Sequence, residues 1–81
     1  MPYISSDDRE HLRPEAEHPE GGGGLTYQFT MLSLQYVGRN GRSFSTFCVV
    51  IGALVCTVFE FYRRVVAPYE DQKCKTNGDV Y

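Results

Sequence analysis

Hydrophobic side chains in this 81-residue chain concentrate in two segments that a short polar segment separates. In the first, residues 25–37, apolar side chains recur every three or four positions as on a helix face, although its first residues also alternate as a strand would. The helical set is Leu25, Phe29, Leu32 and Tyr36. The spacing favours a helix that Thr26 could cap.

The second hydrophobic segment, residues 43–59, contains no charged residue in 17 positions. Its β-branched residues would suit a strand, but strands of this length are rare. We expect a helix from about residue 44 to residue 66, because Pro68 disfavours the helical conformation of the residue before it. Between the two helices we expect a loop over residues 38–43, in which the Asn40-Gly41 pair is typical of a turn.

Residues 1–24 predict an acidic arm. Ser5 can cap a short helix that Pro14 would end, and the four consecutive glycines after it predict a loop over residues 13–24. The arm carries six acids and two arginines, whereas residues 25–81 carry six bases and four acids. We therefore expect an acidic arm joined to a helical hairpin with a polar C-terminal tail, and no direct nucleic-acid binding.

The predicted fold is all-α: a short N-terminal helix and a two-helix hairpin. A chain of this length buries too little surface for a secure core, so oligomerisation is expected to complete it. Cys48, Gly52 and Cys56 share one helix face at i, i+4 spacing, and small side chains there allow close helix approach. We predict these three as the oligomer interface.

A membrane is the alternative to an oligomer. Residues 43–62 could form the spanning helix of a single-pass membrane subunit in a larger complex, with aromatic residues near both ends. Glu60 argues against this, because it interrupts the apolar stretch. The four lysines and arginines on each side of the segment also give no clear orientation signal.

The sequence gives no catalytic, metal or cofactor signature. The histidines, His11 and His18, both lie in the arm, away from any cysteine. The three cysteines form no paired motif, which favours a reducing compartment, and the two in the apolar run are expected to be buried. We therefore expect a non-enzymatic protein without a cofactor.

A cluster of charges and rings follows the apolar run. Arginine binds phosphate through its paired donors, and tyrosine rings can stack on a base or ribose. The structural alternative is a capped helix end in which Glu70 or Asp71, folded back after Pro68, pairs with an arginine. The predicted anion- or nucleotide-binding residues are Tyr62, Arg63, Arg64, Tyr69 and Lys73.

Over its full length the chain resembles a family of small, largely uncharacterised proteins of bacteriophages and prophages. The run over residues 60–71 carries most of the likeness, because such a composition is hard to obtain by chance. The matching segments are residues 1–4 (Met-Pro-Tyr-Ile), Gly24 to Tyr27, Gly52-Ala53-Leu54, residues 60–71 (Glu-Phe-Tyr-Arg-Arg-Val-Val-Ala-Pro-Tyr-Glu-Asp) and residues 77–81 (Asn-Gly-Asp-Val-Tyr).

The resemblance implies a soluble helical protein in the cytoplasm of the host bacterial cell. It supplies no established activity, but a phage origin suggests a host-takeover or anti-defence factor. Such a factor would sequester a phosphorylated small molecule or bind a host protein. Where the family has polar residues around Gly52-Ala53-Leu54, this chain has Phe47, Cys48 and Val49 before it and Val55 and Val58 after it.

Overall fold

The computed structural model describes residues 3–11 and 19–81, and every regular element in these ranges is helical. The all-α class, the short N-terminal helix and the hairpin are therefore confirmed. In chain order the elements are α1 (Ser6–His11), α2 (Gly22–Asn40), α3 (Phe44–Phe61), a π-helical turn (Tyr62–Val66) and α4 (Ala67–Asn77).

Helix α1 begins as the sequence predicts. The Ser5 hydroxyl accepts a 3.2 Å hydrogen bond from the Asp8 backbone N–H, which satisfies one of the donors left free at a helix start. Asp7 and Asp8 occupy the first turn, where negative charge is favoured by the helix dipole. Pro14, the predicted end of this helix, lies outside the described residues.

Helix α2 begins earlier than predicted. Gly22–Gly24 are helical, so the loop expected over residues 13–24 is wrong for its last three positions, while residues 12–18 lie outside the described part. Thr26 does not cap the helix; it lies inside it, and its carbonyl accepts a 2.9 Å hydrogen bond from the Thr30 hydroxyl. The helical pattern of residues 25–37 was strong enough to propagate into the glycines despite their low propensity.

A three-residue turn, residues 41–43, joins α2 to α3. Gly41 has a φ of 89°, which side-chain-bearing residues rarely adopt, and its N–H bonds the Val37 carbonyl at 2.8 Å. Ser43 then caps α3 by accepting from the Thr46 backbone N–H at 3.1 Å. So short a turn makes α2 and α3 antiparallel neighbours. The loop expected over residues 38–43 is confirmed for residues 41–43 and wrong for residues 38–40, which continue α2.

The chain does not leave the helix before Pro68. Instead, α3, the π turn and α4 form one 34-residue helix, Phe44–Asn77. The Ala67 N–H bonds the Tyr62 carbonyl, five residues back, rather than the carbonyl four residues back. Proline has no N–H to donate and its ring would collide with the carbonyl of residue 64 in a regular α-helix. The wider π turn accommodates the proline, so the predicted break is wrong.

The helices bury almost nothing among themselves. No apolar side chain in the described residues is buried, and Thr46, 8% exposed, is the one buried polar residue there. The chain exposes 7508 Å², whereas a compact protein of 9.2 kDa exposes about 4,900 Å². Cys48 is exposed and Cys56 half-buried, so their expected burial is not met within one chain. Completion by a second copy stays a prediction.

Candidate functional site

The predicted binding residues lie in the π turn and α4, in the middle of a helix rather than at its C-terminus. Arg63 and Arg64 therefore do not form a capped helix end, because the helix continues to Asn77. Tyr69, Glu70 and Asp71 also do not fold back over a helix end. The five predicted residues do not form one cluster: four of them make contacts with different partners, and Arg64 makes no polar contact within the described part of the chain.

Arg63 forms a three-membered cluster with Glu60 and Tyr3. Its guanidinium donates to Glu60 Oε1 at 2.7 Å and to the Tyr3 hydroxyl at 2.8 Å. The Tyr3 hydroxyl in turn donates to Glu60 Oε1. These contacts tie the start of the chain to the end of α3, and they leave only 16% of the Glu60 side chain exposed. Arg63 thus pairs with Glu60. The structural alternative, a capped helix end, had required it to pair with Glu70 or Asp71.

The cluster shifts the titration of both its charged members. The hydrogen bond from Tyr3 holds the pKa of Glu60 below its ordinary value, with Arg63 adding to this effect and partial burial opposing it. Glu60 in return raises the pKa of Arg63. Sequence reasoning missed Tyr3, because no local pattern places it beside Glu60, 57 residues away.

Tyr62 is engaged by α4. Its hydroxyl donates to Glu70 Oε1 at 2.6 Å. This hydrogen bond, with the negative charge of Glu70, raises the pKa of Tyr62 above its ordinary value. Glu70, expected as an arginine partner, therefore serves a tyrosine instead.

Tyr69 and Lys73 lie one helical turn apart and contact each other, the Lys73 ammonium being 5.6 Å from the Tyr69 ring centroid. Such a cation–π contact contributes about 0.5–1 kcal/mol at an exposed position. Arg64 makes no hydrogen bond or ion pair with any residue the structure describes. Of the two predicted arginines, Arg64 is therefore the one whose donors are available to a ligand.

An open depression of about 480 Å³ lies between α4 and the last residues of the chain. Tyr62 and Lys73 line it, whereas Arg63, Arg64 and Tyr69 do not. Its remaining charged residues are three carboxylates, those of Glu70, Asp71 and Asp79. A phosphate would meet more negative than positive charge in this depression, so the depression is a poor phosphate site. The available arginine donors, those of Arg64, lie outside it.

The predicted oligomer interface is open in the single chain. A side-chain carbon added at Gly52 would meet no atom within 4 Å, and Cys48 is exposed. A second, apolar surface, which we call the groove, runs between α2 and α3 with a volume of about 360 Å³. The groove is lined by Phe29, Leu32, Ser33, Tyr36, Val49, Val50, Ala53, Leu54 and Thr57.

Comparison with known families identifies the chain by one match. A family model described as a domain of unknown function, DUF6899, matches residues 1–80. The chain therefore belongs to this family. No curated protein and no solved structure matches it.

Proposed function

We propose that this member of DUF6899 is a small non-enzymatic binding protein that works as a homo-oligomer. One observation carries the proposal: the apolar hairpin has no buried apolar side chain in the described residues. Apolar surface of this extent is unfavourable in water and marks an interaction surface. A second copy of the chain offers the same apolar surface in return, as in helical bundles built from paired hairpins.

The short connection between α2 and α3 favours protein over lipid as the partner that covers their apolar surface. Helix α3 is tied to α2 by three residues, so a membrane that took in α3 would have to take in α2 as well or pull the two helices apart. In the described residues, the one helix long and apolar enough to cross a membrane is the one that contains α3. Helix α2 carries the polar side chains Gln28 and Gln35 along one side, which is unlike the predominantly apolar surface of a spanning helix.

The ligand surface of this oligomer is the segment from the π turn into α4. Arg64 keeps its donors available outside the depression. Lys73, beside the Tyr69 ring, is an outer and weaker contact, because three carboxylates line the depression with it. A phosphorylated small molecule fits such donors, and an acidic patch on a host protein offers the same chemistry. Sequestering either one in the host cytoplasm would suit the host-takeover or anti-defence role that the phage-like sequence suggests.

Light scattering after size exclusion in detergent-free buffer tests the oligomer. We expect a soluble species of at least twice the 9.2 kDa chain mass. A soluble monomer would contradict the homo-oligomer, and recovery only from detergent-extracted membranes would replace it with the membrane alternative.

Calorimetry against mono-, di- and cyclic nucleotides tests the ligand. Arg64→Ala should abolish binding and leave the fold intact, because its guanidinium makes no hydrogen bond or ion pair with the described residues. Arg63→Ala should instead remove the contacts to Glu60 and Tyr3 and lower stability. A wild-type protein that binds nothing in the panel would leave a host protein as the proposed ligand.

A membrane subunit is the second candidate function, and the cluster around Glu60 favours it. The charge of Glu60, which interrupts the apolar run, is paired with Arg63 and covered by Tyr3. Such pairing lowers the cost of placing a carboxylate near the membrane interface. Residues 43–62 would then span, and α2 would have to accompany them or separate from α3.

A further inference from the structure

The groove between α2 and α3 is apolar and open, and several of its lining side chains are exposed, among them Phe29, Leu32 and Val49. Leu32, which lines it, is 67% exposed. The chain as a whole exposes about 2,600 Å² more than a compact protein of its mass. A standard interface removes about 800 Å² from each partner, so the excess is ample for a stable pair of copies.

The two ends of the hairpin carry opposite charge. The tip, residues 39–42, holds Arg39 and Arg42, and no aspartate or glutamate occurs anywhere from residue 21 to residue 59. Neither arginine has an acidic partner in the described residues; Arg42 lies over the Phe47 ring at 5.8 Å from its centroid.

The opposite end of the hairpin, which we call the open end, carries more carboxylates than cations: Asp7, Asp8, Glu20 and Glu60 against Arg63 and Arg64. Glu20 lies two residues before the start of α2 there. Tyr3 is bonded to Glu60 and Arg63 at this end, and α1, with Asp7 and Asp8 in its first turn, starts three residues after Tyr3. Ser6 lies within about 11 Å of Tyr3, and each further helical residue adds about 1.5 Å, so Asp7 and Asp8 stay within roughly 14 Å of Tyr3 and belong to the open end.

We infer that the groove is covered by the hairpin of a second copy in antiparallel orientation, with each arginine tip beside the acidic open end of its partner. This inference rests on the proposed homo-oligomer and specifies its geometry. A parallel pair would bring four arginines together at one end and the acidic arms together at the other. The antiparallel pair replaces both repulsions with attractions, so charge selects the orientation while the groove provides the burial.

The antiparallel pair has a consequence for function. The helix of each copy continues past the open end through the π turn and α4 to Asn77. In an antiparallel pair these extensions leave the bundle in opposite directions. The proposed ligand surfaces, at Arg64 and Tyr69, would therefore lie at opposite ends of the assembly and act as two separate sites.

Native mass spectrometry of wild-type chain, R39E/R42E and their equal mixture tests the orientation. In an antiparallel pair, R39E/R42E alone should dimerise at least about fivefold more weakly, because its acidic tip now meets an acidic open end. Adding Glu20→Lys to it should recover part of the loss. The mixture should contain about half heterodimer. In the heterodimer the wild-type tip keeps its attraction and the variant tip has a repulsion, so its stability is the mean of the two homodimers when the effects are additive.

A heterodimer fraction well above half, together with R39E/R42E dimerising as strongly as wild type, would show that the copies pair in parallel. That result would contradict the antiparallel orientation but not the homo-oligomer. Leu32→Glu tests the groove itself: it should dissociate the pair, whereas Val80→Glu, at a site 83% exposed beyond α4, should not. A Leu32→Glu protein that remains fully dimeric would show that the groove is uncovered. A wild-type chain that is monomeric would instead end the proposed function.

Discussion

The Tyr62 hydroxyl bonds the Glu70 carboxylate at 2.6 Å across eight positions of one continuous helix. In a regular α-helix, positions eight apart differ by about 80° around the axis, whereas positions seven apart nearly coincide. The π turn between them contains one additional residue, as the hydrogen bond from the Ala67 N–H to the Tyr62 carbonyl shows. The bond from Tyr62 to Glu70 is therefore a consequence of the π turn.

Replacing the proline should remove both features. In Pro68→Ala the new N–H can donate to the carbonyl of Arg64, so the regular helical ladder can close through residues 62–66. We expect the π turn to become α-helical and the Tyr62–Glu70 bond to be lost. Backbone chemical shifts would report the change, and Pro19→Ala, outside the helices, is the control. A π turn that persists in Pro68→Ala would show that the proline does not cause it.

The raised pKa of Tyr62 gives a second prediction. Glu70 is its main cause, through the hydrogen bond and then through charge, and Asp71 adds a smaller effect. Glu70→Gln should lower the tyrosine pKa toward its ordinary value of 10.0, and Asp71→Asn should lower it less. Ultraviolet titration, with Tyr62→Phe identifying the signal, measures both. An equal shift in the two variants would contradict the bond.

The sign of the pH effect follows from the direction of that shift. A pKa raised on folding means that the native state favours the neutral phenol. The stabilisation is complete below the ordinary pKa and is lost as the pH rises through the higher native value. Thermal unfolding of wild type and Tyr62→Phe should therefore differ at neutral pH and converge at strongly alkaline pH.

Tyr3→Phe should change the titration of Glu60. The hydroxyl of Tyr3 is the largest cause of the lowered pKa, so its removal should bring the Glu60 pKa back toward 4.5. A lowered native pKa stabilises the fold above the ordinary value and ceases to do so as the pH falls through the native value. Carboxyl NMR titration measures the shift. Tyr27→Phe, at an exposed tyrosine without a hydrogen bond in the described residues, is the control.

The sequence predicted the elements better than their ends. Helical spacing in residues 25–37, the Ser5 cap and the Asn40-Gly41 turn signal are local, and the structure contains a helix, a cap and a turn there, although the turn is residues 41–43 rather than 38–43. Pro68 misled because the rule against proline assumes a regular α-helix, and a π turn removes the conflict without breaking the chain's path. The loop predicted at the glycines of α2 is wrong because extending a helix that is already formed is easier than starting one, and this outweighs the low helix propensity of glycine.

The site was harder to predict than the fold, for a physical reason. Tyr69 and Lys73 meet because they are four positions apart on a helix, which sequence can show. The partnership of Tyr3 with Glu60 and Arg63 depends on the path of the arm, and that of Tyr62 with Glu70 depends on the π turn. Neither has a signature in the spacing of the residues concerned.

Gly52→Leu distinguishes a single chain from an assembly by the sign of its effect. In the single chain the position is open, and glycine in a helix interior costs about 0.5–1 kcal/mol relative to alanine. A larger residue should therefore stabilise an isolated chain. If Gly52 lies where a second copy approaches closely, leucine should overpack that contact and cost about 1–3 kcal/mol. Because Gly52 does not line the groove, a loss of mass would reveal a second interface between copies.

We expect Gly52→Leu to lower both the melting temperature and the mass measured by light scattering. The matched control is Gly38→Leu, because Gly38 lies near the end of α2, also has nothing within 4 Å of an added carbon, and belongs to no predicted interface. Gly38→Leu should keep the oligomer intact and should not lower the melting temperature. A Gly52→Leu protein with a raised melting temperature and unchanged mass would show that Cys48, Gly52 and Cys56 face solvent, and that the groove alone joins the copies.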